Sequence, residues 1–237
     1  MKLEVKANLK PVYIEASTLD DAWHQAVFEL FKHGYKYKID HGSYEGSYRL
    51  EFDWATIRIK FPGVEPTIPV FQEGSTLPPP TTMEYVRDYF ERYIMSARKE
   101  IGEQYTYGER LVAAPIDGLE SPIDQINTAI KRYKEFGFNS NQVILQVAQP
   151  KDITLEDPSC LRHIDTRVRY GALHLFPYFR SWDLWGGFPA NLGAIQLLKS
   201  YMAAELDVED GEIIASSKGL HLYKHVEEIA KMRFNIQ

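Results

Sequence analysis

Apolar positions along the chain recur with two periods, and these divide it into helices and strands. In "TLDDAWHQAVFELFKHG", Ala22, Trp23, Ala26, Val27, Leu30 and Phe31 fall on one face of a 3.6-residue repeat. Ser17 or Thr18 can cap this helix, and Asp20 and Asp21 suit its positive N-terminal end. "SYRLEFDWATIRIKF" alternates apolar and polar residues and is rich in aromatic and β-branched side chains, so it predicts a bent strand or a hairpin. "GVEPTIPVFQEGSTLPPP" is too rich in proline to be regular. Two helical repeats follow. In "TTMEYVRDYFERYIMSARKE", Val86, Tyr89, Phe90, Tyr93 and Ala97 point inward; in "SPIDQINTAIKRYKEFG", Ile123, Ile126, Ile130 and Tyr133 do so, with Gly137 as C-cap.

Beyond them, "NQVILQVAQ" predicts a short buried strand, and "HIDTRVRYGALHLFPYFRSWDL" two strands joined near Gly171. "NLGAIQLLKSYMAAEL" is apolar on nearly every face, the pattern of a central buried helix. "GEIIASSKGLHLY" reads as extended and "HVEEIAKMR" as a closing helix. Helices and strands are intermixed without regular alternation, which is an α+β order.

A chain of 237 residues, 44% hydrophobic and 25% charged, fits one globular domain spanning 1–237. No apolar run is long enough to span a bilayer, and the N-terminus lacks the apolar core of a signal peptide. One cysteine excludes an internal disulfide and suits a reducing compartment, so a cytoplasmic location is expected. The net charge of -6 offers no global basic field for nucleic acid, and no membrane partner is expected.

The chemistry gathers in the second half. Cys160 follows Asp-Pro-Ser in a loop-like segment near Arg162, His163 and Arg167, and nearby cations favour the nucleophilic thiolate. An inert, core-filling cysteine is the plainer alternative. Arg180 offers a planar fork of donors and Ser181 a hydroxyl, together suited to phosphate oxygens, although a surface ion pair is the plainer reading of an isolated Arg-Ser. Gly186-Gly187-Phe188-Pro189 either brings backbone N–H groups close to a ligand or simply turns the chain. Asn191 is an N-cap by default. As a recognition group, its amide can donate to one ring atom and accept from the next. In an extended "GLHLY", His221 and Tyr223 share a face and can hold one sugar hydroxyl, or pair within the core. His221 and His225 have helical metal spacing but no HExxH glutamate and no clear third ligand, so no metal is expected.

Order and spacing unite these elements. Cys160 precedes Arg180-Ser181 by twenty residues; Arg180, Ser181, Asp183, Gly187, Pro189 and Asn191 form R-S-x-D-x-x-x-G-x-P-x-N; His221-x-Tyr223 lies thirty residues further on. Upstream, "YTYGERL" and "SPIDQI" supply Tyr107, Asp124, Gln125 and Ile126. From about residue 105 to 229 the pattern resembles the thymidylate synthase family, and its short archaeal-type branch in particular.

The resemblance implies a thymidylate synthase-like fold: a large curved mixed β-sheet packed against helices, with Cys160 and Arg180 on one cavity wall beneath a helix starting near Asn191. It implies a methyltransferase that converts dUMP to dTMP. In that reading Cys160 attacks C6 of the ring and Tyr107 assists removal of the C5 proton. Arg180 and Ser181 hold phosphate, and Asn191 reads the uracil edge. His221 and Tyr223 bind the sugar, and Asp183 and Gly187 meet the pterin. The one-carbon donor is methylene-tetrahydrofolate or a methanopterin-type analogue, and no metal takes part. The family's glutamate is Glu84 or Glu91.

Departures from the family pattern are equally specific. Asn141-Gln142 stands where paired arginines reach across a dimer, so the resemblance implies a homodimer and the replacement leaves a monomer open. Arg49 is the nearest match to an N-terminal phosphate arginine, Phe179 replaces a glutamine, and Gly219-Leu220 replaces an aspartate pattern. Alternatives are a pyrimidine nucleotide hydroxymethylase, since a turned-over Asn191 amide also pairs with cytosine, and a catalytically silent nucleotide-binding homologue.

Overall fold

The computed structural model describes residues 8–71, 77–116, 118 and 120–236. In chain order the strands and helices are β1 (Pro11–Ala16), α1 (Leu19–His33), β2 (Tyr35–Lys38), β3 (Tyr48–Glu51), β4 (Trp54–Ile59), α2 (Met83–Tyr89), α3 (Tyr107–Val112), α4 (Gln125–Phe136) and β5 (Ile144–Gln146). They continue with β6 (Leu161–Arg169), β7 (Ala172–Phe179), β8 (Trp182–Asp183), α5 (Gly187–Leu206), β9 (Glu209–Ser217), β10 (Leu220–Tyr223) and α6 (Lys224–Phe234).

The strands form two mixed sheets rather than one. The larger has the order β1-β4-β9-β7-β6-β5, with parallel β1/β4 and β9/β7 pairs. The smaller has the order β2-β3-β10-β8, with a parallel β8/β10 pair. The segment 47–61, expected as a bent strand or a hairpin, is therefore two strands that diverge at Phe52-Asp53, β3 into the small sheet and β4 into the large one. The split positions the site, because it brings Arg49 and Glu51 of β3 against His221 and Tyr223 of β10.

α5 lies at the centre of the packing, with 13 of its 20 residues buried, and contacts α1, α2, α4, β7 and β9. It begins at Gly187, one turn before the expected start near Asn191. Pro189 is tolerated there because first-turn N–H groups have no intrahelical acceptor. The Asp183 carboxylate accepts the N–H groups of Gly186 and Gly187 at 3.0 and 2.9 Å and so starts the helix.

α1 and α4 form as expected, capped by Thr18 and Asp124. Ile123 falls outside α4, in an isolated bridge to Ala114. The expected helix over residues 81–100 runs as α2 and then as a π-helical turn, Phe90–Ile94. β6 and β7 join at Tyr170-Gly171, both with positive φ. Buried apolar residues from Ile14 to Ala230 form one continuous core between α5 and the sheets. Among the described residues, no helix is long and apolar enough to cross a membrane.

Candidate active site

Cys160 and Arg180 lie side by side at the end of the β6/β7 pair. Leu161 pairs with Phe179, and one residue beyond, the Arg180 N–H donates to the Cys160 carbonyl at 2.9 Å. The loop before Cys160 is pinned from below. Arg110, at the buried end of α3, makes a bidentate pair with Asp152 at 2.7 Å and donates to the Val147 carbonyl. Ser159 Oγ donates to Asp152 at 3.0 Å, and Arg162 donates to Ser159 Oγ at 3.0 Å. Burial alone would raise the Asp152 pKa, but these bonds, Arg110 foremost, bring it below the usual carboxylate value.

Four phenols lie close enough to the thiol to feel its charge: Tyr89, Tyr93, Tyr105 and Tyr107. Their rings adjoin, Tyr89 to Tyr93 at 5.0 Å and Tyr93 to Tyr107 at 5.1 Å between centroids. Burial raises all four pKa values, that of Tyr93 to about 12, so they remain neutral. Tyr107 is buried and accepts the Leu161 N–H at 3.1 Å, one residue from Cys160.

The expected depressed thiol is not found. Burial raises the Cys160 pKa above its ordinary value; Arg180 is the strongest opposing influence, and Asp157 adds to the rise. The Arg180 guanidinium donates to the Pro158 and Ser159 carbonyls and pairs with Asp157 at 3.2 Å, and its charge does not outweigh the burial of the thiol. Ser181 follows it, half-buried.

On the small sheet, His221 Nδ1 lies 2.8 Å from the Gly219 carbonyl, which can only accept, so Nδ1 carries the proton. Burial lowers the His221 pKa to about 4, so the ring is neutral near pH 7 and Nε2 is an acceptor. Nε2 is buried without a partner among the described residues, and so is Arg49 Nε. Arg49 lies 3.5 Å from Glu51 and over the Tyr223 ring, and its charge also lowers the Cys160 pKa. Tyr223 packs edge-on against His221, at 4.5 Å.

Gly219 is closely confined. A Cβ there would stand 3.0 Å from the Arg180 carbonyl and 3.3 Å from the Glu51 carboxylate, so the carboxylate near His221 comes from β3 and not from position 219.

Asn191 is not an N-cap. It sits in the second turn of α5, where Oδ1 accepts from Trp182 Nε1 at 3.0 Å and Nδ2 donates to the Tyr89 hydroxyl at 3.1 Å. Beside it a cavity of about 350 Å³ is lined by Thr81, Tyr85, Tyr89, Gly186, Gly187 and Asn191. Asp183 is spent largely on its own turn, accepting from Trp185, Gly186 and Gly187. A larger cavity of about 520 Å³ shares Tyr93 and Tyr105 with the phenol cluster. Glu45, Glu103, Glu156 and Asp157 line it and make it a poor receptor for an anion.

The structure thus brings Cys160, Arg180, Tyr107, Arg49 and Tyr223 into one electrostatic neighbourhood, with His221 beside Tyr223 and Asn191 joined through Tyr89. Glu84 and Glu91 are both exposed, and Tyr89 and Tyr93 are the residues of that segment near the thiol. Sequence reasoning missed Glu51, Tyr89 and Trp182. The alternating β3 pattern was a signal for Glu51, but nothing local marked the other two.

The thymidylate synthase family model matches residues 70–235. A protein of Methanosarcina acetivorans named "Putative thymidylate synthase" is 27% identical over 223 residues, covering 92% of this chain and 94% of that protein. One of the same name from Methanothermobacter thermautotrophicus is 27% identical over 229 residues, covering 92% and 98%. The thymidylate synthase of Listeria monocytogenes is 34% identical over 109 residues, 45% of this chain and 34% of that protein. With the motif residues converging on one thiol and the family model spanning most of the chain, this protein belongs to the thymidylate synthase family.

Proposed function

We propose that the protein is a thymidylate synthase, methylating dUMP at C5 to give dTMP. One observation carries the reading: near a half-buried thiol lie two buried, unpartnered polar atoms of opposite demand, the acceptor His221 Nε2 and the donor Arg49 Nε. A buried polar atom without a partner costs free energy, and a ligand offering both a hydroxyl and an anion would relieve both costs. A deoxynucleotide monophosphate offers those groups.

In this reading the 3′-hydroxyl donates to His221 Nε2 and meets Tyr223. The phosphate takes donors from Arg180, Arg49 and Ser181, replacing the loop carbonyls that now hold Arg180. The phosphate competes with Asp157 for the Arg180 guanidinium. Asn191 addresses the ring edge. The Cys160 thiolate then forms a bond to C6, and the electron pair of the C5–C6 double bond moves onto C5 and O4. C5 attacks the methylene carbon of the one-carbon donor. The C5 proton leaves through the hydroxyl of Tyr107, which stays neutral by giving its own proton to solvent, and the electron pair expels the pterin nitrogen. Hydride from the reduced pterin then adds to the exocyclic methylene, and the electron pair at C5 expels the Cys160 thiolate and restores the C5–C6 double bond.

A reduced pterin, of the folate or methanopterin type, supplies the carbon and the hydride as cosubstrate. The cavity beside Gly187, walled by Tyr85 and Tyr89, suits a flat heteroaromatic ring, and Asp183 stands at its edge. The outer face of the large sheet, where Trp54 stacks on Tyr178 at 5.7 Å and Tyr13 is exposed, supports a homodimer within the same proposal.

The test is tritium release from [5-³H]dUMP with methylene-tetrahydrofolate and with a methanopterin-type donor, with dTMP identified as product. Release with formation of 5-hydroxymethyl nucleotide would instead assign the hydroxymethylase reaction. Binding of dUMP without release under either donor would assign a silent binder.

A further inference from the structure

A side-chain amide is nearly symmetric in shape but not in chemistry. Turned over, Asn191 would exchange a donor for an acceptor and fit a different ring. Uracil offers an acceptor at O4 beside a donor at N3–H; cytosine offers a donor at N4 beside an acceptor at N3. An amide free to turn accepts both, and one that is held accepts one.

Asn191 is held by two unequal partners. The Tyr89 hydroxyl both donates and accepts, so it fits either orientation of the amide. The Trp182 indole N–H only donates, so the atom 3.0 Å away must be oxygen. A turned-over amide would set NH₂ against N–H, with no acceptor between them. Trp182 cannot easily withdraw. It is 2% exposed, stacked on Phe179 at 4.0 Å and 8°, and packed on Phe188 at 4.6 Å. Its backbone pairs with Leu220 in the small sheet, and its N–H donates to the Gly219 carbonyl at 2.8 Å. These bonds use one lone pair of Oδ1 and one hydrogen of Nδ2. The second of each is left over, in a fixed order.

We propose that Trp182 is a positioning residue that fixes the orientation of the Asn191 amide and thereby sets which pyrimidine the site accepts. The inference rests on the reading of this site as a pyrimidine nucleotide site, and it deepens that reading by naming what enforces the choice of base.

Binding of dUMP and dCMP is compared in the wild type, in Trp182→Phe and in protein carrying 3-benzothienylalanine at position 182. The last keeps the indole shape but puts sulfur in place of the N–H, so it decides the question if Trp182→Phe does not fold. The wild type is expected to prefer dUMP by about 10- to 100-fold, the worth of one mispaired buried polar group. Both variants are expected to bring the two affinities within about threefold, mainly through tighter dCMP binding, because the amide is then free to turn. Tyr89→Phe is expected to retain the preference.

A ratio unchanged in the analogue, or an equal loss for both nucleotides, would overturn the lock while leaving the thymidylate synthase reading intact. Collapse of the ratio in Tyr89→Phe would also overturn it, since the decision would not be Trp182's. A wild-type preference for dCMP would overturn the uridylate reading, whereas collapse of that ratio in the analogue would still support the lock. A wild type that binds neither nucleotide would overturn both.

Discussion

Two polar clusters flank Cys160, and they are built on opposite principles. Beneath the loop, Arg110, Asp152, Ser159 and Arg162 satisfy one another, and none of their buried side-chain atoms is without a partner among the described residues. On the small sheet, Arg49, Glu51 and His221 are also close together, yet Arg49 Nε and His221 Nε2 have none. Both hold an arginine against a carboxylate, and they differ in saturation. A saturated cluster gains nothing from a ligand and serves the fold, whereas an unsaturated one stores a cost that binding removes.

Removing the group that stands between the clusters should have the largest effect. Cys160→Ala is expected to cut turnover by about 10⁴-fold or more while dUMP affinity stays within about threefold, since no other cysteine is present to replace the nucleophile. Steady-state dTMP formation and calorimetric binding measure the two. Loss of affinity in step with turnover would make Cys160 part of the receptor, and the division above would fail.

The clusters themselves should respond in opposite ways. Asp152→Asn leaves Arg110, 3% exposed, with an uncompensated charge and should cost about 3–5 kcal/mol of stability. Arg49→Met removes an unpartnered Nε but also the cation beside Glu51, so it should cost about 1–3 kcal/mol of stability, less than Asp152→Asn, yet weaken dUMP binding by about tenfold or more. Urea denaturation and binding isotherms give both numbers. A larger stability loss at Arg49 than at Asp152 would reverse the comparison.

Acid should sharpen the contrast with a smaller effect. The His221 pKa falls from an ordinary 6.5 to about 4 in the fold. Between those values the unfolded chain binds a proton that the folded one refuses, so stability is intact above about pH 6.5 and declines as pH falls towards 4. The full decline is about 3 kcal/mol. Asp152, with its pKa lowered, keeps its charge through that window and loses its contribution only at lower pH. The difference between wild type and His221→Gln, followed by denaturation from pH 7 to 4, isolates the histidine. A pH-independent difference would show that it is not held neutral.

These clusters also mark what the sequence could and could not disclose. α1, α4 and α5 are legible because their own periodicity and caps define them, and the β6/β7 turn because Gly171 adopts positive φ. The motif residues Cys160, Arg180, Asn191, His221 and Tyr223 are legible as a spaced set. What is hidden is every decision made across long separations. The divergence of β3 from β4 depends on β9 and β10, more than 150 residues away. Tyr89 meets Asn191 across 102 residues, and no local pattern distinguishes it from a core tyrosine. The thiol's environment is hidden for the same reason: its burial, which outweighs the nearby Arg180 charge, comes from packing that no local pattern shows.

The Gly219 carbonyl accepts two hydrogen bonds, from the Trp182 backbone and from His221 Nδ1, each at 2.8 Å. One oxygen thus holds both the strand that carries Trp182 and the tautomer that leaves His221 Nε2 an acceptor. In the proposed reading, base and sugar selectivity share a common joint and cannot be tuned as independent modules. A substitution at Trp182 and one at His221 should give non-additive changes in nucleotide affinity, and selection for a ribonucleotide should carry a shift in pyrimidine preference with it.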